Sequence, residues 1–278
     1  MKPTIAFLGT GLMGEPMCHN LLEAGLPLTV WNRSKDKTKR LAKRGAGVAD
    51  SPHDAVTGAD VVITMLSDGP AVTELMFDRG VADKISNGAT RIDMGSIGAD
   101  EAIDHAKRHA EQEVAYLDAP VSGGTRGAAA GELAIMAGGD AVTFAAMQPV
   151  FAPLGQATHV GPSGCGQLAK LANQVIVAIT IGAVSEAFIL AGGGGADRAQ
   201  VREALQGGFA SSRILSEHGQ RMVERAFEPG GPAKFQVKDL RNALKAAEQL
   251  GLDLPITKLI YKLFDDMVNS GKADMDHS

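Results

Sequence analysis

Three observations predict an α/β fold followed by an all-α one. Short apolar strands alternate with helical stretches as far as about residue 161. The first strand runs into the glycine turn Gly9-Thr10-Gly11-Leu12-Met13-Gly14. Beyond residue 161 every segment has helical periodicity. Alternation builds a doubly wound parallel sheet, and a glycine turn at its start is the mark of dinucleotide binding. Residues 1–161 are therefore expected to form a Rossmann-type domain and residues 162–278 an all-helical one, joined by a long interdomain helix. A length of 278 residues, 45% of them hydrophobic, suits two such cores.

Apolar runs at residues 4–8, 28–31, 61–66, 90–94 and 114–117 read as strands, each followed by helical periodicity. Two more candidates, 133–137 and 158–160, flank a helix beginning near Asp140. In the second half, helices are expected at 167–190, 198–205, 220–226, 234–250 and 255–269, separated by glycine breaks at 192–195, 207–208 and 230–231. The first of these, at about 1.5 Å per residue, reaches roughly 36 Å and so spans the joint between domains. Its apolar tract contains Thr180, Gly182, Ser185 and Glu186, which are costly in a bilayer and natural in a buried interdomain helix, so no membrane span is expected.

A net charge of −5 leaves no broad basic surface for nucleic acid. Cys18 and Cys165 lie in separate segments outside any metal-ligand spacing; no metal is expected, and free thiols suit a reducing cytoplasm. The first strand follows almost at once on the N-terminus, without the pattern of a secretory signal.

The glycine turn follows one strand and opens a helix ending near Ala24. Its glycines let backbone approach a pyrophosphate where free amides and the helix dipole favour an anion. Gly9, Gly11, Leu12, Met13 and Gly14 are the expected contacts; a plain strand-to-helix turn is the competing reading. The second strand ends Val30-Trp31-Asn32-Arg33-Ser34, where an NAD-specific site carries Asp or Glu on the ribose. Asn32 leaves room for a 2′-phosphate against Arg33, Ser34 and Lys35 or Lys37, so NADP(H) is preferred and NAD(H) is the alternative. The same cations fit a solvated helix start. Met65, Leu66 and Ser96 sit at later strand ends and are candidate ribose contacts, unless Ser67 and Ser96 simply cap helices.

Asp118-Ala119-Pro120-Val121-Ser122-Gly123-Gly124 offers a hydroxyl and closely spaced amides to a carboxylate, with Ser122, Gly123 and Gly124 as the nest; an ordinary tight turn is the alternative. Lys170, Asn173 and Gln174 share one helix face, and Gly164 and Gly166 thin the approach to it, which suggests a ligand comes near. Desolvation would lower the lysine pKa, letting Lys170 protonate a nascent alkoxide or accept its proton. Lys238 and Asp239 follow Phe235 on a later helix, where Lys238 could reach the cofactor and Asp239 a nearby ammonium; both also fit a solvated face.

Four motifs in order resemble the β-hydroxyacid dehydrogenases over nearly the whole chain, in particular the 3-hydroxyisobutyrate dehydrogenase and tartronate semialdehyde reductase branch. They are Phe7 to Met17, Asp118 to Gly124, Gly164 to Asn173, and Lys238-Asp239-Leu240. The segments beginning Lys170-Leu171-Ala172 and Ala204-Leu205-Gln206, and Asp276-His277-Ser278, are similar to the tartronate semialdehyde subgroup. The resemblance implies Lys170 as the catalytic lysine, Ser122, Gly123 and Asn173 as substrate-carboxylate residues, and Ser96 and Lys238 on the nicotinamide side. Asp93-Met94-Gly95-Ser96 departs from the family's commoner Ser-Thr or Ser-Ser form. Phe235, on which pocket size depends, and Asp239 are further candidate contacts of a small carboxylic-acid substrate, and the resemblance implies a homodimer or homotetramer built on the helical domain. The expected activity interconverts a short aldehyde or keto acid and its hydroxy acid with NADP(H). An imine reductase on the same scaffold and a non-catalytic NADP(H)-binding regulator are the rivals, and Lys170 weighs against the first.

Overall fold

The computed structural model describes residues 2–228 and 230–278, in two compact units that divide between Lys170 and Leu171. The first carries a nine-stranded sheet. In chain order its strands are β1 (Ile5–Leu8), β2 (Leu28–Trp31), β3 (Gly47–Val48), β4 (Val61–Thr64), β5 (Thr90–Asp93), β6 (Ala115–Asp118), β7 (Val121–Ser122), β8 (Leu133–Gly139) and β9 (Gly155–Gly161). The spatial order is β3-β2-β1-β4-β5-β6-β8-β7, with β9 paired to β8.

Strands β1 to β6 are parallel, as the alternation predicts, and their apolar runs are buried on both faces between two clusters. The expectation of an all-parallel sheet is corrected at β8, which runs antiparallel to both β6 and β7. The reason lies at residues 123–132: β6 and β7 run in one direction along β8, and the chain turns back through the short helix Gly124–Ala130 instead of crossing over to a parallel neighbour. Register places Leu8, Thr64, Asp93 and Asp118 side by side, so the C-terminal ends of four adjacent strands finish level. Loops leaving a parallel sheet at such an edge form its ligand crevice.

The second unit is helical: Arg198–Gln206, Arg213–Glu224, Ala233–Gln249 and Pro255–Met267 follow the long helix Cys165–Gly193. That helix has 29 residues, two more at its start and three more at its end than its periodicity indicates. Its expected burial is corrected. Ile176, Ile189 and Leu190 are 66%, 66% and 80% exposed, while Ala178, Ile181 and Phe188 are buried, so one apolar face is covered and another bare. By length and composition this helix could cross a membrane. The helix expected at 220–226 starts instead at Arg213, capped by the Ser212 hydroxyl accepting from the Leu215 amide. Gly219 lies inside it beside the Phe188 ring, where a Cβ would make ordinary contact at 3.4 Å.

Candidate active site

The glycine turn has the geometry a pyrophosphate cradle needs. Gly9 has φ +106, and a Cβ on it would lie 2.4 Å from the Met65 carbonyl oxygen; one on Gly14 would lie 2.0 Å from the Gly9 carbonyl oxygen. Both glycines are demanded by close backbone packing of β1, its helix and the end of β4. Around Gly11 nothing lies within 4 Å of such an atom. The open position is thus the middle glycine, where a phosphate would come against the start of helix Gly14–Glu23. Leu12 is 77% exposed beside it and Met13 is half-buried at the N-cap. Leu66 adjoins both Gly9 and Gly95, so Met65, Leu66 and the loop bearing Ser96 line one stretch of the strand edge. These residues fit a bound dinucleotide.

Asn32 is committed to the loop. Its Oδ1 accepts from the Thr10 amide at 3.0 Å and its Nδ2 donates to the Ser34 carbonyl at 3.0 Å, which ties the end of β2 to the glycine turn. Arg33 and Ser34 are exposed. Beside them opens a cavity of about 320 Å³ whose lining includes Trp31, Arg33, Lys35, Asp50 and Arg79. Lys35 pairs with Asp50 at 2.5 Å, and the Arg79 guanidinium lies 5.9 Å from the centre of the Trp31 ring. Arg79, well separated in sequence, was not legible as a member of this group. The alternative that Ser67 caps a helix is corrected, since Asp68 does so, accepting from the Ala71 amide at 2.9 Å. At Ser96 likewise the helix Ala99–Ala110 begins after Gly98, whose amide donates to Glu101 at 2.6 Å.

Ser122 ends β7 half-buried, and Gly123 and Gly124 follow with φ +138 and +61, the positive values their residue type permits. Two side chains that the sequence did not single out hold the neighbouring backbone. Asp118, fully buried at the end of β6, accepts from the Gly164 amide at 2.8 Å and the Gln167 amide at 2.9 Å, capping the long helix with both oxygens. Burial pushes its carboxyl up to about 6, against the pull of those amides and with the charge of Asp93 adding to the rise. Gln167, also fully buried, accepts from the Ile97 amide at 3.1 Å and donates to the Gly95 carbonyl at 2.9 Å.

The glycines opening this helix have another purpose than admitting a ligand. A Cβ on Gly166 would lie 2.3 Å from the Asp118 carbonyl oxygen, and one on Gly164 would lie 2.8 Å from Ile103. They allow the helix start to pack against the sheet, which corrects the expectation of a thinned approach.

In the helical unit, Asn173 Nδ2 donates to Gln174 Oε1 at 2.9 Å, and Gln174 Nε2 donates to Asp239 Oδ2 at 2.7 Å. The Lys238 ammonium lies 3.2 Å from Asp239 Oδ1. Asp239 is only 4% exposed, which overturns the solvated-face alternative for it. Gln236, missed in the sequence, is buried and donates to the Gln174 carbonyl at 3.1 Å. Phe235 lies outside these bonds, 42% exposed, with the Lys234 ammonium 5.7 Å from its ring. Lys170 is half-buried on the long helix, one turn beyond Gln167.

His218, Asp276 and His277 bring three potential metal-ligand atoms within 4.8 Å of one another. Asp276 is already saturated: Gly230 and Gly231 amides and the Arg221 guanidinium at 3.3 Å face Oδ2, and the Ser278 amide and hydroxyl face Oδ1. Burial raises its carboxyl, but these donors outweigh that and hold it near 2. With Arg221 supplying the positive charge, the cluster is a capped ion pair and a poor cation site.

Comparison with known proteins agrees with this geometry. Residues 4–162 match the family described as the NAD binding domain of 6-phosphogluconate dehydrogenase, and residues 164–278 match the NAD-binding domain of NADP-dependent 3-hydroxyisobutyrate dehydrogenase. The chain is 43% identical over 276 residues to 2-hydroxy-3-oxopropionate reductase of Escherichia coli (strain K12), covering 99% of this chain and 94% of that one. It is 31% identical to glyoxylate/succinic semialdehyde reductase 1 of Arabidopsis thaliana, covering 99% and 96%. Among solved structures, 3-hydroxyisobutyrate dehydrogenase of Mycobacterium tuberculosis with L-serine superposes with a TM-score of 0.91 at 31% identity, covering 100% and 97%.

Proposed function

Since the chain belongs to the β-hydroxyacid dehydrogenase family of nicotinamide-dependent oxidoreductases, in its 3-hydroxyisobutyrate dehydrogenase branch, we propose that it reduces a short aldehyde acid of the 2-hydroxy-3-oxopropionate class with NADPH and catalyses the reverse oxidation. When bound, the dinucleotide supplies the hydride for reduction and takes it back in oxidation. Every other task falls to side chains and backbone of this chain.

The Ser122 hydroxyl and the Gly123 amide bind the substrate carboxylate, and that turn is the observation that carries the substrate class: two consecutive positive-φ glycines after a hydroxyl make an anion nest. Lys170 donates a proton to the oxygen formed from the carbonyl and accepts it again in oxidation, a contribution typically of about 10²- to 10⁴-fold. Asn173 orients the substrate, and Gln174 and Lys238 hold the Asp239 carboxylate in place.

Preference for NADP(H) is supported by Asn32, whose amide is spent on the loop and brings no carboxylate to the ribose, and by the cavity beside Arg33 and Arg79. A 2′-phosphate there meets two guanidinium groups, while the acid of that cavity, Asp50, is paired with Lys35.

The reading makes the chain a cytoplasmic homodimer or homotetramer. The bare face of the long helix at Ile176 and Leu190 is the contact it assigns to a second copy, and Glu186, exposed on the same face, suits a protein neighbour better than lipid. Cys18, whose thiol burial and then Glu15 push well up, is an inert core residue consistent with that compartment.

The test is NADPH oxidation across 2-hydroxy-3-oxopropionate, glyoxylate, succinic semialdehyde and methylmalonate semialdehyde, with NADH in parallel. Turnover fastest with the first acid and NADPH supports the proposal. Silence on all four with turnover of cyclic imines would reassign the chain to imine reduction, and NADPH binding without any turnover to a regulator.

A further inference from the structure

We infer that Gln167 and Asp118 are positioning residues: together they lock the first turn of the helix carrying Lys170 to the loop carrying Ser96, so that one buried hydrogen-bonded unit sets the placement of both. The inference rests on the reading of Lys170 as the proton donor. Four bonds make the lock, and all belong to the sheet unit. Asp118 takes the Gly164 and Gln167 amides, which fixes where the helix begins. The Gln167 side chain then takes the Ile97 amide and gives to the Gly95 carbonyl, the two backbone groups on either side of Ser96.

Chemistry makes glutamine specific here. The loop presents one donor and one acceptor, and only a primary amide of that reach answers both without carrying charge into a site where Asp93 and Asp118 already lie side by side. Both side chains are fully buried, so water cannot replace a lost bond cheaply. Glycine at 166 and 138 lets the backbones close around the pair: a Cβ on Gly138 would sit 2.6 Å from the Gly166 amide and 2.7 Å from Asp118 Oδ1. Lys170 follows Gln167 at i+3, on the same side of the helix and one turn on, so a shift or fraying of the first turn moves it directly. Misplacement of a reacting group by about 1 Å can cost roughly 10²-fold in rate.

The experiment compares Gln167→Met, which keeps length and loses both bonds, with the isosteric Gln167→Glu, which keeps the acceptor and sets a carboxylate against the Gly95 carbonyl. Amide hydrogen exchange at residues 95–98 and 164–168 is measured on the protein alone, NADPH affinity by fluorescence, and kcat and KM separately. The expected result is exchange at the Ile97 amide faster by about tenfold or more, NADPH affinity weakened several-fold through the Ser96 loop, and kcat lower by about 10- to 100-fold in both variants. Unchanged exchange at Ile97 overturns the lock, and faster exchange with unchanged kcat overturns its positioning role. Should Gln167→Met fail to fold, Gln167→Glu decides both points. If Lys170→Ala retains turnover, the reading of the lysine fails; the exchange measurement still decides separately whether the lock exists.

Discussion

Replacing Asp118 by Asn should leave a pH signature of calculable sign and size. Asp118 is fully buried, and its carboxyl is raised from 3.8 to about 6 in the folded chain. Between those values the native state holds a proton that the unfolded chain has released, so stability falls as pH rises through the window and levels off above the folded value. From pH 5 to 7.5 the lost stability is about 1.4 kcal/mol for a folded pKa near 6. Asparagine is isosteric, cannot titrate, and keeps one acceptor for the Gly164 or Gln167 amide. Groups remote from Asp118 act equally on both proteins and cancel. Urea unfolding of parent and Asp118→Asn at pH 5 and 7.5 therefore gives a difference in stability that shifts by about 1.4 kcal/mol in favour of the variant on going to the higher pH. A difference independent of pH, or one moving the other way, refutes the placement of a buried carboxylate beneath the helix start.

Other perturbations separate cofactor binding, chemistry and folding. Gly11→Ala should fold as stably as the parent, because the added methyl meets nothing, and should weaken NADPH binding at least tenfold in a fluorescence titration; Gly14→Ala, whose methyl meets the Gly9 carbonyl at 2.0 Å, should lose several kcal/mol in urea unfolding. Arg33→Ala should raise KM for NADPH about tenfold and leave that for NADH nearly unchanged, as steady-state kinetics with both cofactors would show. His109 is buried and its pKa held down to about 3 by burial and by Arg91, so the native state resists a proton the unfolded chain takes up below about 6.5; that stability is lost as pH falls, about 2 kcal/mol by pH 5 in urea unfolding, and His109→Phe should remove the loss. Leu190→Asp should lower the mass found by light scattering to that of one chain if the bare helix face is the subunit contact.

The sheet was legible in the sequence where local pattern and tertiary burial agree. Strands β1, β2, β4, β5 and β6 are apolar runs bounded by turns, and parallel burial asks for nothing else. Two-residue β3 has too little sequence to show a period, and the antiparallel return of β8 on β6 and β7 depends on a turn at residues 123–132 whose direction residue types do not encode. The helix at Arg213 was read late because Gly219 breaks the pattern, although that glycine sits inside the helix and leaves it unbroken. The glycine turn, Ser122 and Lys170 stood out because their chemistry is carried by neighbours in sequence. Asp118 and Gln167 did not, since each owes its role to backbone groups 46 to 72 residues away. The available signal was the requirement for glycine at 164 and 166, which marks a close backbone approach as readily as a ligand.

The most direct test of the central claim is single-turnover reduction of 2-hydroxy-3-oxopropionate by NADPH-loaded parent and Lys170→Ala protein, with NADPH affinity measured alongside. The account predicts fast turnover in the parent, a loss of about 10²- to 10⁴-fold in the variant, and equal NADPH affinity in both. Comparable turnover in the two proteins would contradict it.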